Sequence, residues 1–140
     1  MQRKRSVPET LVAFTAVKVA NQEGIGINQN ILFEKVILNE GNGFHPNQGV
    51  FIASRRGVYL ITVSLVHSAQ NDPFHGALVL NGNIIVRLHG EHTIWDQTSQ
   101  TVFLTLAPGD EVFVRNIDIG NENVQGNLWS SFSGFLLWEL

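Results

Sequence analysis

Apolar and polar residues follow one another in short runs, and no segment keeps the 3.6-residue apolar stripe of a helix. Leu11 to Val19 reads as a first strand and Asn21 to Asn30, polar and Gly-punctuated, as a loop. Ile31 to Leu38 is a second apolar run, closed by Asn39-Glu40-Gly41-Asn42-Gly43. Val50 to Ala53 is a short strand ending at Arg55-Arg56-Gly57. From Val58 to His67 the alternation is clean: Tyr59, Ile61, Val63 and Leu65 share one face, Thr62 and Ser64 the other.

Turn chemistry divides the rest. Asn81-Gly82 separates Ala77–Leu80 from Ile84–Leu88, the two-residue hairpin signal, because both central positions need positive φ. Ala107-Pro108-Gly109-Asp110 separates Thr101–Leu106 from Glu111–Ile117. There Pro presets φ and Gly supplies a positive one, as a type II turn requires. Trp129 to Trp138 is a last apolar run, with both tryptophans expected to pack. Roughly eight to ten short strands predict an all-β fold, a two-sheet antiparallel sandwich or jelly roll.

Composition narrows the class. With 140 residues, 44% hydrophobic and 15% charged, the chain suits one globular domain: a tail over residues 1–10 and a β domain over residues 11–140. A net charge of -3 argues against nucleic acid, which demands a clustered basic surface. Arg3-Lys4-Arg5, the only basic run, reads as a solvated tail or, alternatively, a dibasic processing site or anionic-surface contact. Without cysteine there is no disulfide framework, and no apolar run reaches the length of a membrane span. Residues 1–10 lack the apolar stretch of a signal peptide, so secretion would imply a leader already removed. No Asn-X-Ser/Thr acceptor occurs.

Phe33, Asn39, Phe44, Phe51, Gly57 and Tyr59 stand at spacings that resemble the signature of the complement C1q globular-head family. Ile61 and Val63 replace aromatics usual in that signature and keep its apolar character. Val12-Ala13-Phe14-Thr15-Ala16 resembles the family's first strand and Ser131 to Leu137 its last. Asp96-Gln97-Thr98-Ser99 is similar to a loop segment of many members. The resemblance covers nearly the whole chain. It implies a ten-stranded jelly roll, shared with tumour necrosis factor, that assembles as a homotrimer. With no Gly-X-Y stretch, the chain looks like the secreted, stalkless members of invertebrate type, many of them lectins of innate immunity that recognise microbial polysaccharides or glycoconjugates. A trimeric signalling or adhesion module binding a protein receptor is the alternative, and a jelly-roll metalloenzyme a weaker third.

The most polar-aromatic segment runs from Arg87 to Gln97. Trp95 is the expected platform for a sugar ring, with Arg87, His89, Glu91, His92, Asp96 and Gln97 around it for the hydroxyls. The plainer reading has Trp95 packed on the sandwich edge and the polar residues in a wet loop. His89, Glu91 and His92 are zinc-compatible residue types, but His-Gly-Glu-His matches no zinc-protease motif. Asp96 resembles a calcium-binding position of some relatives, which implies calcium shared by copies from neighbouring chains. A second acidic position of those relatives falls here near His89-Gly90. Tyr59, Phe51, Phe132 and Phe135 are expected in the core or a trimer interface. His67 and His75 are expected at a loop near Asn71-Asp72-Pro73. Ser131 and Ser133 have no evident His partner, and no catalytic residue is expected.

Overall fold

A computed structural model describes residues 11–68, 73–91 and 95–140. Its strands are β1 (Ala13–Val17), β2 (Gln22–Ile25), β3 (Lys35–Glu40), β4 (Phe44–His45), β5 (Val50–Ile52) and β6 (Gly57–His67), then β7 (Phe74–Leu80), β8 (Asn83–Gly90), β9 (Asp96–Leu106), β10 (Glu111–Asn116), β11 (Glu122–Val124) and β12 (Ser131–Glu139). Two five-stranded sheets face each other, in the orders β3-β1-β12-β6-β9 and β4-β5-β10-β7-β8, and β2 pairs with β11 at one end. All the strand pairs are antiparallel, giving the jelly roll expected. The tail over residues 1–10, with Arg3-Lys4-Arg5, lies outside the described residues, as do Asn71 and Asp72.

The alternation of β6 does what its pattern dictates: Tyr59, Ile61, Val63 and Leu65 are all buried. Between the sheets Phe14 stacks on Phe44 and Phe51, with ring centroids 5.1 and 4.7 Å apart, and meets Phe132 edge-on at 5.0 Å. Tyr59 packs on Phe51 and donates its hydroxyl to the Arg55 carbonyl at 2.7 Å, so its polar end is satisfied while its ring is buried. The hairpin turns follow their residues: Asn81 and Gly82 take φ of 51° and 88°, and Gly109 takes 91°. The two turns are also tied together. Asn81 Nδ2 donates to Asp110 Oδ1 at 2.9 Å, and Asp110 Oδ2 accepts the Ala107 N–H at 2.8 Å.

Several local expectations need correction. Gln22 to Ile25, expected in a loop, forms strand β2, because β11 offers it a partner. Ile31 and Phe33 are fully buried but precede β3; their apolar character reports burial, not strand. Asp96 to Ser99 opens β9 and is not a loop, since it pairs with His67 to Ser64. His67 ends β6 and His75 lies in β7, so neither is on a loop. Trp129 and Trp138 each leave just over half of their surface exposed and do not pack into this chain's core.

Candidate functional site

The segment Arg87 to Gln97 divides between two places. Period-two alternation along β8 turns Arg87 and His89 outward while Leu88 and Gly90 are buried. Trp95 precedes β9, and Asp96 and Gln97 begin it. His92 lies outside the described residues.

The first place joins Arg87, His89 and Glu91 to two residues from elsewhere. His75 on β7 is the register partner of His89, and their rings meet, Nε2 of His75 lying 3.0 Å from Nδ1 of His89. Asp118, after β10, approaches His75 Nδ1 at 3.2 Å and Arg87 Nη1 at 3.6 Å. Glu91 Oε1 lies 3.2 Å from His89 Nε2. His75, Arg87, His89 and Asp118, with Leu88 and Ile117, line a cavity of about 260 Å³.

The second place is aromatic. Trp95 meets Trp129 edge-to-face, ring centroids 5.9 Å apart, and both indoles are about half exposed. Val66 floors the cleft between them, and Asp96 and Gln97 form its polar side. Gln97 Nε2 donates to Ser64 Oγ at 2.7 Å, which fixes its amide against the sheet. Asp96 Oδ2 accepts the Glu91 N–H at 2.7 Å, closing the connection between β8 and β9. Trp129, expected only to pack beside the last strand, was not foreseen in this site; it arrives from the turn before β12.

Beneath both places lies His67, fully buried. Its ring packs on Phe74 and against Gly90, where any Cβ would overlap it. Among the described residues neither ring nitrogen finds a hydrogen bond of good geometry. Burial pushes its pKa below the usual imidazole range; the Asp96 carboxylate and the Glu91 backbone oppose this without prevailing, and His89 adds to the lowering.

Among the described residues no three His, Cys, Asp or Glu side chains converge on one point as a metal ion would need. The Ser133 hydroxyl is engaged with Thr15 Oγ1 at 2.9 Å, on the sheet's outer face and not beside a base.

The outer face of the first sheet carries a further feature. By register, Ala13, Phe135, Leu60 and Phe103 form a row across β1, β12, β6 and β9. Phe103 is 67% and Phe135 41% exposed, with Leu38 and Trp138 also exposed on the same sheet. Phe51, Phe132 and Tyr59 are core, as expected, while Phe135 belongs to this face.

Comparison with known proteins agrees with this architecture. The C1q domain family matches residues 13–137. Complement C1q tumor necrosis factor-related protein 3 is 34% identical over 139 residues in both the Mus musculus and Homo sapiens forms; the match takes in 94% of this chain and 53% of each of theirs. The chain therefore spans about half the length of these curated relatives. Among solved structures, the globular domain of zebrafish complement 1qA superposes with a TM-score of 0.77 at 16% identity, covering 92% of this chain and 99% of that one. The Eiger TNF of S. frugiperda superposes with a TM-score of 0.77 at 14% identity, covering 94% and 96%.

Proposed function

The chain belongs to the C1q domain family, and on that footing we propose that it is an extracellular, non-enzymatic recognition head that works as a homotrimer and binds glycans of microbial polysaccharides or glycoconjugates. One observation carries the ligand class: the cleft between Trp95 and Trp129, walled by Asp96 and Gln97. Sugar rings present apolar C–H faces that stack on indoles, and hydroxyls that need carboxylate and amide partners.

The exposed row Phe135–Leu60–Phe103 supports the trimer. Identical apolar patches are covered most economically by a closed cyclic arrangement. The glycan cleft does not compete with it. Gln97 and Phe103 are separated by six residues of β9, about 20 Å at ~3.3 Å per residue, so the cleft can stay open at one end of the assembly.

Calcium belongs to the same reading. A calcium ion wants roughly six to eight oxygens. No single chain gathers them among the described residues, so Asp96 would serve only if copies from neighbouring chains, carbonyls and waters complete the shell.

A protein partner is the second reading, and Leu128 favours it. This residue sits beside Trp129 at a φ of 68°, a strained position for Leu, with 58% of its surface exposed. Indole and leucine together make an apolar tip suited to a protein surface.

A panel of microbial polysaccharides, probed with and without calcium, tests the proposal. Wild-type trimer is expected to bind, and Trp95→Ala to lose binding with its melting temperature nearly intact. Binding should be weak for a single head and about 10²–10⁴ stronger for the trimer on a repetitive polymer. If the wild-type trimer binds none, the protein-partner reading takes its place.

A further inference from the structure

Asp118, His75, His89 and Glu91 form one row of close polar contacts across the outer face of the β7–β8 hairpin, a carboxylate at each end and the two imidazoles in the middle. Ionised carboxylates only accept hydrogen bonds. His75 must therefore place its proton on Nδ1, towards Asp118, and His89 its proton on Nε2, towards Glu91. In neutral rings the two inner nitrogens, His75 Nε2 and His89 Nδ1, are then both lone pairs, and they face each other at 3.0 Å. Two lone pairs at that distance repel each other, and a cation between them, a proton or a metal ion, relieves the repulsion.

We propose that this gap is a binding site for a borderline divalent transition-metal ion, zinc being the representative, separate from the aromatic cleft and from Asp96. Two Zn–N bonds of ~2.0–2.1 Å at a tetrahedral angle place the nitrogens about 3.3 Å apart, so a ring movement of a few tenths of an ångström admits the ion. Each imidazole already has what metal-bound histidines use to fix their tautomer: a carboxylate on the far ring nitrogen. The two carboxylates outnumber the one nearby guanidinium, Arg87, so the local field favours a cation. His75 and His89 are 32% and 54% exposed, which gives an ion access and leaves its remaining positions to water. Imidazole donors select against calcium and magnesium, which take oxygen ligands.

Zinc chloride titrated calorimetrically into the untagged, chelator-treated protein tests the site. Saturable uptake of one zinc per chain is expected. His75→Ala and His89→Ala should each weaken it at least about tenfold, and Asp118→Asn by about 10–100-fold through the ring it orients. His45→Ala, an exposed histidine on β4, should change nothing. Asp118→Asn leaves both strands untouched, so its effect is not a folding defect. Absence of saturable zinc binding, undiminished binding by the His75 variant, or displacement of zinc by millimolar calcium would each overturn the assignment.

Discussion

The side-chain amide of Asn39 pairs with the backbone of Phe44 as a neighbouring strand would. Its Nδ2 donates to the Phe44 carbonyl at 3.0 Å, and its Oδ1 accepts the Phe44 N–H at 3.0 Å. Asn39 sits on the edge strand of one sheet and Phe44 on the edge strand of the other, so the amide closes that side of the sandwich. It also holds Phe44 where its ring stacks on Phe14. Asn39→Ala removes both bonds and should cost about 1–3 kcal/mol. Urea unfolding at fixed protein concentration should show a lower midpoint with an unchanged slope. A cost under about 0.5 kcal/mol would mean that water replaces the amide.

Lys18 and Glu34 form an unequal pair. Lys18 is buried, and its ammonium donates to Glu34 Oε1 at 3.1 Å, Gln22 Oε1 at 3.0 Å and the Leu32 carbonyl at 2.8 Å. Glu34 is 39% exposed and also accepts the Val19 and Ala20 N–H groups. Burial lowers the Lys18 pKa against the pull of Glu34. Removing Glu34 strands a buried cation, whereas removing Lys18 leaves a carboxylate that water can reach. Glu34→Ala should therefore cost about 1.5–3 kcal/mol, and Lys18→Met less than about 1 kcal/mol. Thermal unfolding of the two variants in the reverse order would show that the desolvation argument fails here.

His67 makes the fold acid-sensitive. Its pKa is lowered in the folded state, so the ring stays neutral there, while the unfolded chain takes up a proton near pH 6.5. Below that pH the unfolded state binds more protons, and stability falls until the folded pKa is passed. The melting temperature of wild type should drop more between pH 7 and pH 5 than that of His67→Leu. Parallel curves would assign the acid sensitivity to other groups.

Phe103 reports on assembly. If its exposed ring closes the threefold contact, Phe103→Asp places a desolvated charge there and should convert trimer to monomer in light scattering. Far-UV circular dichroism should be unchanged, because the side chain takes no part in the core. A wild-type monomer at micromolar concentration would remove the trimer from the proposal.

The architecture was readable because turn residues and β6 alternation act locally. Asn81-Gly82 and Pro108-Gly109 fix their turns through φ alone, and Tyr59 to Leu65 fix a face through period two. The paired imidazoles were not readable. Counting back from the Asn81-Gly82 turn sets His75 opposite Leu88, but a β-bulge between Leu78 and Val79 shifts the register by one and brings His89 there instead. One extra residue thus decides whether His75 faces a leucine or a histidine, and nothing in the surrounding residue types marks its position. Trp95 was legible as an exposed aromatic among polar residues. Its partner Trp129 was not, since that pairing depends on how the turn before β12 folds over the end of the sheet.

The strand order has a consequence for synthesis on the ribosome. β12 lies between β1 and β6 at the middle of its sheet, so the two halves of that sheet have no hydrogen-bonded bridge until residues 131–139 emerge. Phe132 travels on the same strand and seals the aromatic stack around Phe14. Within this domain the edge of β1 therefore stays unpaired while residues 18–130 are made, and that of β6 once residue 67 is made, so closure waits for β12.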